Sequence, residues 1–299
     1  MNATRILNLA AFAAALFLML FGLAVLSGKA LVANDAHAYW AAWQGGLYSG
    51  ATLVNQADAY LYSPAFAQAI WPLTLLPFWA FRLLDSLAAL AAFAWMLWPL
   101  QWRLRAPLLV ACSAAISMGN IQWAVLVAAV AGSQIPQLWA IPLLTKLTPG
   151  VGVLWFLGRR DWRYFGLALG TTAILAGISF VTAPGLWSDW IHILQVNAGT
   201  GGSHAFMPGL LPQVSVVVRV ALAGVLVIWG GWRDRPWTVV VAVILAQPDA
   251  GIDTLILLAA ALPRTIIREA TREPSRRSVR GGTKIPASGI ARLDRPRTR

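Results

Sequence analysis

Residues 6–26, ILNLAAFAAALFLMLFGLAVL, form an unbroken uncharged stretch that decides the fold class of this chain. A helix needs about 20 apolar residues to cross the hydrocarbon core of a bilayer, whereas the apolar part of a cleaved secretory leader has roughly 7–15. Arg5 precedes the stretch. The pattern therefore predicts a signal anchor with its N-terminus inside the cell and residues 28–63 outside.

Composition extends this conclusion to the whole chain. Of its 299 residues, 59% are hydrophobic and 11% are charged, and the mean hydropathy is +0.66, whereas a soluble domain carries about 25% charged residues. The sequence thus predicts an all-α integral membrane protein, a polytopic helical bundle of eight to ten spans. Further apolar stretches with tryptophans at their ends lie at about 64–77, 83–99, 106–118, 122–134, 136–157, 163–182, 214–232 and 237–262.

Loop composition predicts which segments lie on each side of the membrane. Residues 28–63 and the Gly-rich segment 183–213 are expected as external loops, and the basic clusters at 159–163 and 233–235 as cytoplasmic turns. Nine spans would leave the basic C-terminus outside, against the positive-inside rule. Either a short stretch, such as 64–77 or 122–134, fails to cross, or 237–262 folds back near residues 247–251.

The net charge of +12 is concentrated at the C-terminus. Residues 264–299 contain ten arginines and Lys284 against three acidic residues, and they are rich in Pro, Ser and Gly. We expect a bundle over residues 1–263 and a disordered tail over 264–299. A cytoplasmic tail attracted to anionic membrane lipids is favoured over nucleic-acid binding.

Ionisable residues at bilayer depth are costly and require a reason. Arg82 and Asp85 are spaced for an i,i+3 ion pair, expected at a cytoplasmic interface. Lys146 precedes Thr148-Pro149-Gly150, which should break the helix; the lysine either reaches a helix end or binds an anionic group in a polar cavity. Asp253 fits an interhelical hydrogen bond or the lining of that cavity.

The first predicted external loop contains the segment NDAHAYW at residues 34–40. Asp35, close to Tyr39, Trp40 and Trp43, is either a helix N-cap or a general base whose basicity is raised by partial desolvation. The carboxamides of Asn120 and Gln122 either belong to an interfacial turn or contact sugar hydroxyls.

Several classes of chemistry lack their sequence signatures. The chain has no phosphate-binding loop, dinucleotide fingerprint, HExxH or GxSxG motif in a suitable context. His37, His192 and His204 lie in or beside the predicted external loops without convergent metal-ligand spacing, so we predict no metal and no cofactor. Cys112 is the single cysteine and excludes an internal disulfide.

An ordered set of motifs resembles glycosyltransferase family 87, the polyprenol-phosphate-mannose-dependent mannosyltransferases and their relatives. The resemblance covers roughly residues 5–262, and Gln122 stands where related sequences often have a histidine. It is carried by NDAHAYW (34–40), GLYSG (46–50), DAYLYSPAFAQAIWPLTLLP (58–77), GNIQWAVL (119–126), LLTKLTPGVGVLWFLGRRDWR (143–163), APGLWSDWIHIL (183–194) and, more loosely, AQPDAGIDTLILLAA (246–260).

The resemblance implies a GT-C type bundle in a multi-pass protein of the cell membrane, with the active site at its external face. It implies an inverting hexosyltransferase that moves a sugar, mannose in particular, from a polyprenyl-phosphate donor to a lipid or glycan acceptor. Asp35 would be the general base and Lys146 would contact the donor phosphate. Tyr60 and Tyr62 would line the entrance, and further candidate substrate-binding residues are His37, Tyr39, Asn120 and His204.

Two other function classes stay open at this point. A lipid or sugar transporter would use Lys146 and Asp253 along a translocation path, although the two halves of the chain show no convincing self-similarity of the kind common in transporters. A non-catalytic membrane scaffold would recruit a partner through its basic tail.

Overall fold

The computed structural model describes residues 3–27, 35–48, 58–199, 214–247 and 254–281. These ranges contain helices and no strand, which confirms the all-α fold class. Two 3-10 helices cover Pro136–Trp139 and Thr148–Leu154. The α-helices are α1 (Ala3–Ser27), α2 (Asp35–Ala41), α3 (Pro64–Thr74), α4 (Phe78–Leu97), α5 (Trp102–Met118), α6 (Gln122–Ala131), α7 (Ala140–Thr145), α8 (Trp155–Arg159), α9 (Trp162–Thr182), α10 (Pro184–Gly199), α11 (Val216–Arg233), α12 (Trp237–Leu245) and α13 (Thr254–Gly281).

Three of the described helices, α4, α9 and α11, are long and apolar enough to cross a membrane. Helix α1 packs along α5 through small residues, and a Cβ added at Gly22 would lie 2.7 Å from the carbonyl oxygen of Ala111. Such close backbone approach is typical of helix pairs in membranes. The chain is a helical membrane protein.

The bundle has two ends, which we name after Asp35 and Arg159. At the Arg159 end, Arg159 pairs with Asp234 and Arg235 pairs with Glu269. Helix α9 starts beside Arg159 and runs to Thr182, whose hydroxyl accepts a hydrogen bond from Gln68 at the Asp35 end. Its 21 residues correspond to about 30 Å, the thickness of a hydrocarbon core.

Helix α3 does not cross the bundle, which favours the alternative that the stretch 64–77 fails to span the membrane. The helix has 11 residues, or about 16 Å. Trp43 Nε1 donates to the Ala67 carbonyl at 3.1 Å, and Trp40 Nε1 donates to the Leu76 carbonyl at 2.8 Å. Because both ends of the segment bond to α2 or the residues just after it, the whole of α3 stays at the Asp35 end.

The apolar stretch 136–157 is broken where its sequence predicted a break. Helix α7 ends at Thr145, Lys146 has φ −125° and ψ 88°, and a 3-10 helix follows from Thr148. Proline lacks an amide hydrogen and glycine has a high backbone entropy, so this segment cannot continue the α-helix. The chain consequently reverses at Lys146.

Two regions are more helical than the sequence indicated. The segment 183–213 was expected as a loop, yet residues Pro184–Gly199 form α10, with a proline in the first helical turn. Helix α13 continues to Gly281, beyond the predicted boundary at residue 264. Residues 200–213, 248–253 and 282–299, which include His204 and Asp253, lie outside the described residues.

Candidate functional site

Asp35 is the first residue of α2, and its carboxylate bonds to a distant part of the chain. Its Oδ2 accepts a hydrogen bond from Nδ2 of Asn120, 85 residues later. Asp35 is half-buried, and the α2 residues beside it, Ala36 and Tyr39, are buried. The carboxylate is therefore held in one position by tertiary structure while remaining partly accessible.

A tight turn between α5 and α6 brings Asn120 to Asp35. Gly119 ends α5 with φ +67°, and a Cβ there would lie 2.7 Å from the Ala36 Cβ, so only glycine allows this turn to touch α2. The backbone N–H of Gln122 donates to Asn120 Oδ1 at 3.1 Å. Because that bond requires the amide oxygen, the amide NH2 of Asn120 faces Asp35 as a donor.

The same turn reaches Lys146, the second residue of the predicted site. Lys146 Nζ donates to Gln122 Oε1 at 3.3 Å, and both side chains are half-buried. A chain of polar contacts thus runs from Asp35 through Asn120 and Gln122 to Lys146. Asp35, Asn120 and Lys146 are among the candidate site residues from the sequence. Gln122 is not among them, and its carboxamide was interpreted only as part of an interfacial turn or as a contact to sugar hydroxyls.

Arg82 supports the turn from α4. Its ion pair with Asp85 is confirmed, with Nη1 3.0 Å from Oδ2. Its Nη2 donates to the carbonyls of Ile116 and Ser117 at 2.7 and 2.5 Å, which are among the last carbonyls of α5. The Ile116 carbonyl also accepts from the Gly119 N–H at 3.1 Å. The pair lies at the Asp35 end, where α4 begins. The expectations of a cytoplasmic Arg82–Asp85 pair and of an external Asp35 therefore cannot both hold.

The candidate residues Tyr39, Tyr60 and Tyr62 pack against one another close to Asp35. Tyr39 OH donates to Tyr62 OH at 2.9 Å and accepts from the backbone N–H of Ile121 at 3.3 Å. Tyr39 is 3% exposed, and burial, followed by Tyr62 and then Asp35, raises its pKa well above the ordinary value. Tyr60 is also 3% exposed, and burial raises its pKa. The predicted role of Tyr60 at an entrance does not match this burial, since its hydroxyl donates to the Ser63 carbonyl.

His37 lies on a different face of α2 from Asp35. Residues two apart on a helix point about 200° apart, and His37 Nδ1 is 2.6 Å from Asp58 Oδ1, with its ring 5.0 Å from that of Phe78. The His37 side chain is 39% exposed, so it is accessible to a ligand at the surface of the bundle. Among residues 3–27, 35–48, 58–199, 214–247 and 254–281, no three His, Cys, Asp or Glu side chains converge as metal ligands.

The two ends differ sharply in charge. The described basic residues of the Asp35 end are Arg82, Lys146 and Arg219, none of them fully exposed. The arginines of the Arg159 end include Arg103, Arg105, Arg159, Arg160, Arg163, Arg233, Arg235, Arg264 and Arg268. Among the described residues, the Arg159 end is therefore the more basic of the two ends.

Comparison with known proteins identifies the family. The model of glycosyltransferase family 87 matches residues 60–279, well over half of the chain. This protein belongs to glycosyltransferase family 87. Membership identifies the family 87 protein as a membrane glycosyltransferase and confirms the resemblance seen in the motifs. Neither a curated protein nor a solved structure matches it.

The matched range divides the candidate residues of this family 87 protein. Tyr60, Tyr62, Asn120, Lys146 and His204 lie within it, whereas Asp35, His37 and Tyr39 precede it. The contact between Asn120 and Asp35 joins the two groups. The structure thereby links the unmatched N-terminal segment to the matched bundle at one site.

Proposed function

We propose that this family 87 protein is an inverting glycosyltransferase that uses a polyprenyl-phosphate-linked sugar, with mannose as the favoured donor sugar and a lipid or glycan as acceptor. The observation that carries the proposal is the polar chain from Asp35 through Asn120 and Gln122 to Lys146. It provides a carboxylate and a cation in one partly accessible site at the end of the bundle that carries few basic residues.

Asp35 acts as the general base. Its carboxylate takes the proton of the acceptor hydroxyl as the acceptor oxygen bonds to the anomeric carbon from the face opposite the phosphate. The bond between the anomeric carbon and the phosphate oxygen breaks, and its electron pair leaves with polyprenyl phosphate. Attack from the opposite face inverts the anomeric configuration. Asp35 then releases this proton to water.

Lys146 stabilises the leaving group, because its ammonium offsets the charge that grows on the departing phosphate oxygen. The bond to Gln122 Oε1 holds Nζ beside the turn that carries Asn120. The donor phosphate would then lie near the broken backbone at residues 146–150, and backbone that lines a polar cavity is tolerated at membrane depth. The polyprenyl chain extends into lipid, so no nucleotide-binding loop is required.

The test compares Asp35→Asn with Asp58→Asn. Purified protein in liposomes receives a panel of polyprenyl-phosphate sugars and acceptors, and mass spectrometry measures glycosylated product and free polyprenyl phosphate. Asparagine preserves the shape of Asp35 and an oxygen that can accept from Asn120, so we expect a loss of about 10²- to 10⁴-fold in rate, the range for a lost general base. Asp58 is 46% exposed and pairs with His37, so its variant should keep most of the activity.

Two results would count against the proposal. Full activity of Asp35→Asn would remove this carboxylate from the mechanism. Movement of the sugar lipid across the liposome membrane without any glycosidic product would favour a transporter instead.

The proposed orientation in the cell membrane has its own test. In a Cys112→Ala background, Gln44→Cys introduces a thiol at the Asp35 end and Arg163→Cys introduces one at the Arg159 end; both positions are exposed. An impermeant maleimide applied to intact cells should label only the first, and both after permeabilisation. The reverse pattern would turn the site toward the cytoplasm and overturn the external placement.

A further inference from the structure

A cavity of about 270 Å³ lies at the Arg159 end, at the opposite end of the bundle from the site at Asp35. Helices α4, α6 and α13 and the segment after α6 form its walls. Its polar and aromatic lining residues include Trp95, Gln134, Arg264, Thr265 and Arg268, and Ile135 forms part of its apolar wall.

Two arginines on one face of α13 give the cavity its charge. Arg264 and Arg268 are four residues apart, one helical turn. The Arg264 guanidinium stacks over the Trp95 ring, 4.1 Å from its centre, and its Nη1 donates to the Trp95 carbonyl at 2.6 Å. This stacking fixes the guanidinium plane at the cavity wall. No carboxylate is among the lining residues of the cavity, and the neighbouring Glu269 pairs with Arg235.

The surroundings of the cavity are typical of the headgroup layer of a membrane. Trp98 and Trp102, just beyond Trp95, are 67% and 71% exposed, as expected of aromatic side chains at the membrane surface. Ile135, which lines the cavity, is 51% exposed. The cavity thus combines cationic groups with exposed apolar side chains at headgroup depth.

We propose that this cavity binds the headgroup phosphate of an anionic phospholipid from the cytoplasmic leaflet. Arginine presents a planar fork of N–H donors that matches two phosphate oxygens, and basic pockets between helices on the cytoplasmic side suit anionic headgroups. The Gln134 amide supplies a further donor. Thr265 does not, because its hydroxyl donates to the Leu262 carbonyl at 2.8 Å. The acyl chains lie against Ile135.

The test measures lipid binding by the full chain with the double variant Arg264→Gln/Arg268→Gln. Native mass spectrometry of delipidated protein, titrated with phosphatidylglycerol, gives the affinity. The control Arg103→Gln/Arg163→Gln removes the same charge from exposed positions at the same end. We expect the cavity variant to lose at least about tenfold in affinity and the control to change by less than about twofold.

Competing ligands distinguish a lipid headgroup from free phosphate as the bound group, and a second variant tests the cavity without a change in α13. Phosphatidylcholine and inorganic phosphate at equal concentration should bind at least about tenfold more weakly than phosphatidylglycerol; inorganic phosphate that competes equally would mean a free-phosphate site. Gln134→Glu adds a negative charge at an exposed position without altering α13, so it should also weaken lipid binding. This variant tests the site even if the double variant fails to fold. Equal losses in the cavity and control variants, or no loss in Gln134→Glu, would overturn the proposal. Sugar transfer is measured separately and does not enter this result.

Discussion

Replacing Asn120 by leucine should slow sugar transfer while leaving the donor bound. Asn120 Nδ2 donates to Asp35 Oδ2, a hydrogen bond in which the acceptor is ionised. Such bonds contribute roughly 1.5–3 kcal/mol, and each 1.36 kcal/mol in the barrier corresponds to a factor of ten in rate. The expected loss is therefore about 10- to 150-fold in kcat, because the Asn120 side chain contacts the base. Asn120 bonds to the backbone N–H of Gln122 and not to the Gln122 carboxamide that accepts from Lys146, so binding of the donor should change little.

The assay measures initial rates in proteoliposomes over a range of donor concentrations, which separates kcat from KM. Leucine has the branched outline of asparagine without its hydrogen-bonding groups, so it removes the bond to Asp35 Oδ2. Gln68→Leu is the matched control, because its amide donates to Thr182 at the Asp35 end and takes no part in the polar chain. We expect this control to remain within about twofold of the original rate.

A double-variant cycle gives the sharper result. If Asn120 acts through Asp35, Asn120→Leu should cost little in a chain that already carries Asp35→Asn, because the coupled residues are not additive. Additive losses would show that Asn120 acts elsewhere, for instance on the acceptor sugar. An Asn120→Leu variant with the original kcat would refute the reasoning altogether.

Three further outcomes follow from the same geometry. Gln122→Glu should raise the donor KM and lower kcat, because the new carboxylate competes with phosphate for Lys146 Nζ, 3.3 Å away, and Lys146 also offsets the charge that grows on the leaving group. Gly119→Ala should lower the thermal unfolding midpoint, since φ +67° costs a residue with a Cβ about 1–2 kcal/mol before any clash. Burial raises the pKa of Tyr39 above 10.0, so stability should be intact below pH 10 and fall as the pH rises through the folded pKa; Tyr39→Phe should weaken that fall in denaturation curves.

The fold class was predictable because apolar length is a local property. Residues 6–26 decide the membrane class by themselves, and the break at Thr148-Pro149-Gly150 follows from backbone chemistry alone. The Arg82–Asp85 pair was equally visible, because i,i+3 spacing on a helix fixes the contact. Helix α10 was missed because its low hydropathy suggested a loop, although Pro184 marked a helix start.

The site was only partly predictable because its contacts are not local. Asp35 and Asn120 are 85 residues apart, and nothing in the period of either segment shows that the turn at Gly119 touches α2. The burial of Tyr60 was missed for the same reason. A tyrosine near a predicted loop can face an opening or pack inward, and here Tyr48, Tyr62 and Phe66 surround it.

The contacts also explain how the basic C-terminal part can share a side with the N-terminus. The sequence contains nine apolar stretches, an odd number. Helix α3 stays at the Asp35 end, which removes one crossing. The stretch 136–157 reverses at Lys146, and 237–262 separates into α12 and α13, which adds two. Within the described residues, the chain therefore runs ten times between the two ends of the bundle. An even number of passes brings the basic end of α13 to the Arg159 end of the bundle, where α1 also begins.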